Sequence, residues 1–190
     1  MKQKYINCTT GKWINGDLDT QYRIEETEDT IKITFQGSVS VLDWFHNFDF
    51  LVKPYRGMPK LFFVHRGFLK KWKAVRDNIM SRVISSGKAV EIYGFSQGAA
   101  LAQLCHEAIL FHSGFQPKTV VFGSPKVFGW FNKKELDDRL YRVERYENGR
   151  DIVTGVPFFL YRHYGLLKKI GKWGRIKTSI KDHLTYGENL

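Results

Sequence analysis

Apolar residues recur along the chain at two spacings, every second position in some stretches and every third or fourth in others. In "TIKITFQGS", Ile31, Ile33 and Phe35 alternate with polar residues, which predicts a strand ending at Gly37. "SVLDWFHNFDFL" places Val41, Trp44, Phe45, Phe48 and Leu51 at helical spacing, with Ser40 and Asp43 as an N-cap pair. "KLFFV" reads as a buried strand. "GFLKKWKAVRDNIMSRVISSG" is a helix with Phe68, Trp72, Val75, Ile79 and Val83 on one stripe, stopped by Gly87. A strand "AVEIY" follows, and then a helix carrying Leu101, Leu104, Cys105 and Ala108 and ending at Gly114. "KTVVFGSP" and "RLYRVERYENGRD" predict two further strands on either side of a polar stretch.

The ends of the chain are less patterned. Residues 1–20 read as irregular, and "YRHYGLLKKIGKWGRIKTSIKDH" as two strands around a Gly-Lys-Trp-Gly turn. Strands alternate with helices through the middle, which predicts an α/β protein whose mostly parallel sheet is covered by helices on both faces. Glu91 fits poorly in a strand meant to be buried.

The 190 residues suit a single domain over 1–190, large enough to bury a core without metals or disulfides. Cys8 and Cys105 form no disulfide framework and no metal-ligand pattern. The first residues lack the apolar run of a signal peptide, and no window is apolar enough to span a membrane. A cytoplasmic location is therefore the default expectation. Thirty Lys and Arg against nineteen Asp and Glu give a net charge of +11, which favours an anionic partner or simply solubility.

The chemistry begins at "EIYGFSQGAALAQ", where Gly94-Phe95-Ser96-Gln97-Gly98 has the form G-x-S-x-G. That pattern is common by chance, but here a strand precedes it and an alanine-rich helix follows, the setting of a nucleophile elbow. Ser96 would sit in a strained turn at a helix N-terminus, where free N–H groups favour developing negative charge. A serine nucleophile needs a base and an orienting acid, in the order Ser, Asp or Glu, His. Asp151, in the loop after a strand, fits the acid, whereas Asp137 and Asp138 belong to a solvated charge run. His106 and His112 follow on the elbow helix and should point away from Ser96. His163 and His183 remain, and spacing does not separate them. One oxyanion donor would be the N–H of Gln97, and the other that of Ser38 in the loop after "ITFQGS".

Several motifs in order, "ITFQGS", "SVLDWFHNFDF", "VHRGF", "VEIYGFSQGA", "VVFGSP", "NGRDIVTGVPF", "YRHYG" and "DHLTY", resemble the class 3 lipases of the α/β-hydrolase superfamily. The resemblance runs over roughly residues 30 to 190. It implies a compact α/β-hydrolase with a short lid helix in 40–52. It further implies Ser96 as nucleophile, Asp151 as acid, His183 as base, and Ser38 with Gln97 as oxyanion hole. In the same comparison "YRHYG" is similar to a structural element and His65 matches another. Gln36 stands where the family usually has arginine, Phe95 and Gln97 where it often has His and Leu, and the elbow also resembles that of cutinases.

The implied reaction is acyl transfer from an ester to water, with no cofactor and no metal. Trp44, Phe45, Phe48 and Phe95 are the candidate substrate-contacting residues, which suits acylglycerols or other apolar esters. Lys168, Lys169, Lys172, Arg175, Lys177 and Lys181 around Trp173 suggest peripheral contact with an anionic lipid surface, or a solvated hairpin face. The alternatives are a soluble carboxylesterase or cutinase-like hydrolase, or a basic non-catalytic protein that binds membrane or nucleic acid on a hydrolase scaffold. Nothing resembles a nucleic-acid-binding motif.

Overall fold

Five parallel strands form the spine of the molecule: β3 (Thr30–Phe35), β6 (Ala89–Phe95), β7 (Lys118–Phe122), β9 (Val143–Asn148) and β11 (Leu166–Ile170). The computed structural model describes residues 1–37, 51–55, 62–131, 133–174 and 178–190. Two antiparallel strands, β1 (Ile14–Gly16) and β2 (Thr20–Glu26), extend the sheet beyond β3, giving the order β1-β2-β3-β6-β7-β9-β11. A smaller antiparallel sheet stands apart, in the order β10 (Tyr161–Arg162), β8 (Phe128–Gly129), β5 (Phe62–His65), β4 (Val52–Tyr55).

Period-two alternation sends side chains to opposite faces of the main sheet. On one face Ile31, Ile33, Ile92 and Val121 pack against α2 (Arg66–Ser86) and α3 (Gln97–Ser113), through Phe68, Trp72, Leu101 and Leu104. On the other face Tyr93, Phe95, Val120 and Phe122 meet Tyr5 of α1 (Lys2–Asn7) and Tyr186 of α7 (Tyr186–Asn189). Helices on both faces of a mostly parallel sheet are the α/β arrangement the strand–helix alternation predicts. No helix of the described residues is long and apolar enough to cross a membrane.

The N-terminal residues are not irregular as expected. α1 forms around one buried aromatic, too few apolar positions to show a period, and Tyr5 meets Phe95 edge-on at 5.2 Å. The polar "KKELDDR" stretch is also helical, α4 (Lys133–Leu140), because Leu136 and Leu140, four apart, share one buried face. The expected C-terminal strand pair is half correct. β11 pairs in parallel with β9, but Ile180–Leu184 is a helix, α6, whose N-cap Ser179 accepts a hydrogen bond from Asp182 N. The expected lid helix over 40–52 lies outside the described residues except at its end, where Leu51 is exposed and Val52 already begins β4.

Glu91 is accommodated because β6 is buried only from Ile92 onward. Its carboxylate accepts a hydrogen bond from Tyr93 OH at 2.7 Å and lies 3.5 Å from Lys118 Nζ, and both hold it ionised.

Candidate active site

Ser96 occupies the junction between β6 and α3, with φ 54° and ψ −122°. A non-glycine residue at positive φ is strained, and the surroundings must enforce it. They do so by close backbone approach. A Cβ on Gly98 would lie 2.5 Å from Phe35 O and 2.4 Å from Gln36 O, so only glycine lets α3 start against the end of β3. Ser96 N donates to Phe122 O at 2.9 Å, which ties the turn to β7. Gln97 is the first residue of α3, where peptide N–H groups have no partner within the helix. Gly37 abuts the turn from the other side, its missing Cβ 3.2 Å from Ser96 Cβ. Ser38, Trp44, Phe45 and Phe48 lie outside the described residues.

Asp151 follows β9 and caps the short helix α5 (Ile152–Gly155), its Oδ1 accepting from Val153 N at 2.8 Å. Its Oδ2 accepts from His183 Nδ1 and from Tyr186 OH, each at 2.8 Å. Both partners are fully buried. Because a carboxylate only accepts, the Nδ1 position carries the proton and Nε2 is left as the basic nitrogen. That Nε2 is buried and has no hydrogen-bond partner among the described residues. Burial, and then the Asp151 charge, raise the Tyr186 phenol well above its ordinary pKa, so it stays a neutral donor to the carboxylate.

The loops bearing Asp151 and His183 are laced together. Ser179 N donates to Arg150 O at 2.8 Å, Arg150 N to Asp182 Oδ2 at 2.8 Å, and Asn148 Nδ2 to Asp182 O at 2.7 Å. Gly123, after β7, closes the pair from below; at φ +55° it would bring a Cβ to 2.9 Å from His183 Cε1 and 3.0 Å from Asp151 Oδ2.

The structure thus brings Asp151 and His183 into direct contact and stacks the ring of Phe95, the neighbour of Ser96, on the His183 imidazole at 4.8 Å. Phe95 points to the α1 and α7 side with Tyr93, two residues earlier on the same strand, and is buried there. There its ring lies against the imidazole. His163 stands elsewhere, its Nε2 donating to Thr154 O at 2.7 Å, and burial lowers it to about 3. His106 is buried against Thr119, His112 is exposed, and His65 caps α2 through Gly67 N. Asp137 pairs with Lys133 on the surface. Tyr186 and Gly123 are additions to the site, and both sit inside stretches, "DHLTY" and "VVFGSP", whose order carried the resemblance. Among the described residues no group of three or more His, Cys, Asp or Glu is arranged to hold a metal ion.

Residues 32–161, more than half of the chain, match the family described as Lipase (class 3). The chain belongs to the class 3 lipase family. It is 31% identical over 140 residues to the secreted mono- and diacylglycerol lipase 1 of Fusarium solani, covering 70% of this chain and 41% of that one. It is 28% identical over 167 residues to phospholipase A1-II 6 of Oryza sativa subsp. japonica, covering 67% and 40% of the two chains. The chain therefore spans about two fifths of the length of these relatives. In fold it is similar to the Rhizomucor miehei triacylglyceride lipase, with a TM-score of 0.76 at 23% identity over 95% of this chain and 81% of that one. The fold is that of the α/β-hydrolases. The Fusarium relative is a secreted protein by name, so it lends no support to a cytoplasmic default.

Proposed function

We propose that this class 3 lipase chain is a serine hydrolase that cleaves carboxylic esters of lipids, acylglycerols first among them, through Ser96, His183 and Asp151. The observation that carries the reading is the buried Asp151–His183 pair with its unpartnered Nε2, stacked on the residue that precedes a strained, helix-capping serine. His183 Nε2 takes the proton of Ser96 Oγ as the oxygen attacks the ester carbonyl. The N–H of Gln97, with that of Ser38, holds the oxyanion at the N-terminus of α3. The protonated imidazole then gives its proton to the leaving alkoxide, and a water repeats the sequence on the acyl-enzyme. Asp151 holds the imidazole in the Nδ1–H tautomer throughout.

An apolar substrate is supported by a cluster of exposed side chains just after β8 and in the stretch after α5. Trp130 stacks on Phe131 at 4.5 Å, Trp130 N donates to Leu160 O, and Phe158 and Phe159 are 67% and 84% exposed. So much contiguous aromatic surface suits a lipid aggregate better than a water-soluble ester. A second basic-aromatic feature, Lys169 Nζ 4.5 Å from the Trp173 ring beside exposed Lys168 and Lys172, supports peripheral contact with anionic lipid.

The test is hydrolysis of p-nitrophenyl esters from short to long acyl chains by the wild type and by Ser96→Ala, with covalent labelling by a serine-directed phosphonate. A loss of at least about 10⁴-fold in the variant supports the nucleophile, and preference for long chains supports lipase over soluble carboxylesterase. A wild type inert to every ester and to the phosphonate would overturn the reading in favour of a basic binding protein.

A further inference from the structure

A cavity of about 700 Å³ opens at the end of the main sheet away from Ser96. Its lining includes Lys88 to Glu91 at the start of β6 and Pro117 and Lys118 at the start of β7, whereas Ser96 follows the last residue of β6. The apolar lining comprises Val83 and Ile84 from the last turn of α2, Ile109 from α3, and Phe115 in the loop before β7. Ile84 and Phe115 are 59% and 72% exposed, so large apolar side chains bound this concavity without filling it.

Two helix ends border the cavity, and the lining residues Val83, Ile109 and Ser113 take part in hydrogen bonds there. Ser86 Oγ donates to Val83 O at 2.9 Å, Ser113 Oγ to Ile109 O at 2.8 Å, and Gly114 N to Leu110 O at 3.0 Å. An apolar group that covers Val83 O or Ile109 O therefore strands neither acceptor. The charged lining is unbalanced: Lys88, Lys118 and Arg142 face the single carboxylate of Glu91. Lys88 is already bound to Glu26 at 2.7 Å and Lys118 lies 3.5 Å from Glu91. The Arg142 guanidinium lies 5.6 Å from the Tyr141 ring centroid and forms no ion pair among the described residues.

We propose that this cavity binds a long-chain amphiphilic monocarboxylate, with the chain against Val83, Ile84, Ile109 and Phe115 and the carboxylate at Arg142 and Lys118. An inorganic anion would gain nothing from the apolar walls, and a cationic amphiphile would meet the excess positive charge. The volume falls within the range of small-molecule sites, roughly 300–1,000 Å³. The acid set free by ester cleavage at Ser96 belongs to this class, a link that rests on the proposed activity; occupancy of the cavity does not. Because the two sites lie at opposite ends of β6, an acid held here leaves Ser96 open to substrate.

The experiment is a fluorescence titration of the Ser96→Ala protein with cis-parinarate below its micellar concentration, compared with parinaryl alcohol. Saturable carboxylate binding is expected, about tenfold tighter than that of the alcohol. The double variant Arg142→Gln/Lys118→Gln should weaken the carboxylate by about tenfold and leave the alcohol unmoved. Ile84→Asp, on an exposed position, should weaken both, with Phe115→Ala as a second apolar variant and thermal melting as the check of folding. Phe159→Ala, on the aromatic surface proposed to meet lipid, separates that surface from the cavity and should leave the saturable carboxylate binding in place. Equal binding of alcohol and carboxylate, absence of saturable binding, or binding lost in Phe159→Ala and untouched by Ile84→Asp would each overturn the proposal. None of these results bears on ester hydrolysis by the wild type, so the two readings fail separately.

Discussion

Phe95 lies face-on to His183, with ring centroids 4.8 Å apart and planes within 20°. Tyr5 and Tyr186 meet the same phenylalanine edge-on at 5.2 and 5.8 Å. A chain of aromatics therefore runs from the N-terminal helix to the imidazole, and the second core of the molecule forms the bed on which the proposed base rests.

Truncating that bed should damage rate more than binding. Phe95→Ala is expected to cost about 3–5 kcal/mol in stability and to lower kcat with little change in KM, because the imidazole loses its flat support. Phe95→Leu keeps most of the burial and should recover most of the stability but less of the rate. Urea unfolding and steady-state ester hydrolysis of both variants check this. Equal kcat in Phe95→Ala and the wild type would show that the stacking does not position His183.

Gly123→Ala tests the approach from the opposite side. The added methyl would stand 2.9 Å from His183 Cε1 and 3.0 Å from Asp151 Oδ2, at a φ of +55°. Strain of about 1–3 kcal/mol at such a position should leave the protein folded at room temperature. The Asp151–His183 hydrogen bond must lengthen, so ester hydrolysis should fall by about 100-fold or more. Wild-type activity in a folded Gly123→Ala protein would sink the prediction.

The central strand–elbow–helix unit was legible because its signals are local. Ile92 and Tyr93 point to opposite faces, the glycines flank Ser96, and the alanines follow within one helix. Asp151 was reachable from the strand before it. His183 was not separable from His163 by spacing, since what distinguishes them is contact: one reaches Asp151 Oδ2 and the other Thr154 O. Of the second sheet only β5 was legible, in "KLFFV"; β8 and β10 have two residues each and exist only through pairing with each other and with β5. α1 was equally silent, its one buried ring finding its partners on Phe95, Phe122 and Tyr186.

Away from the site, Glu107 is fully buried on α3 and grips Arg139 of α4 through two hydrogen bonds of 2.5 and 2.6 Å. Burial raises its carboxyl and Arg139 pulls part of the way back, leaving it at about 7. Arg139→Met should cost about 3–5 kcal/mol at pH 8, where Glu107 must either stay charged without a partner or take up a proton against the solution pH. The loss should shrink at pH 5, because protonation then neutralises Glu107. The double variant Glu107→Leu/Arg139→Met should be more stable than Arg139→Met alone. Denaturant unfolding at the two pH values decides it, and a double variant no better than the single would count against a buried-charge penalty.

His106, the residue before Glu107, sets an acid limit on stability. Its Nε2 faces Gln116 Oε1 at 3.0 Å and Arg139 O at 3.2 Å, and a carbonyl only accepts, so Nε2 carries the proton and Nδ1 accepts from Thr119 Oγ1 at 2.9 Å. Desolvation of this fully buried ring lowers its pKa from 6.5 to about 4. Below pH 6.5 the unfolded chain therefore binds a proton that the folded chain refuses, and the contribution of this group to stability falls with pH until it titrates near 4 in the folded state. The full loss amounts to about 3 kcal/mol. His106→Gln should be less stable than the wild type at pH 7.5, by about 1–3 kcal/mol for the broken network, yet show a shallower decline on acidification. His163 and Glu107, which shift in opposite directions but are present in both proteins, cancel in the comparison. Unfolding free energies from pH 7.5 to 4.5 give the answer: converging curves support the assignment, and parallel ones refute it.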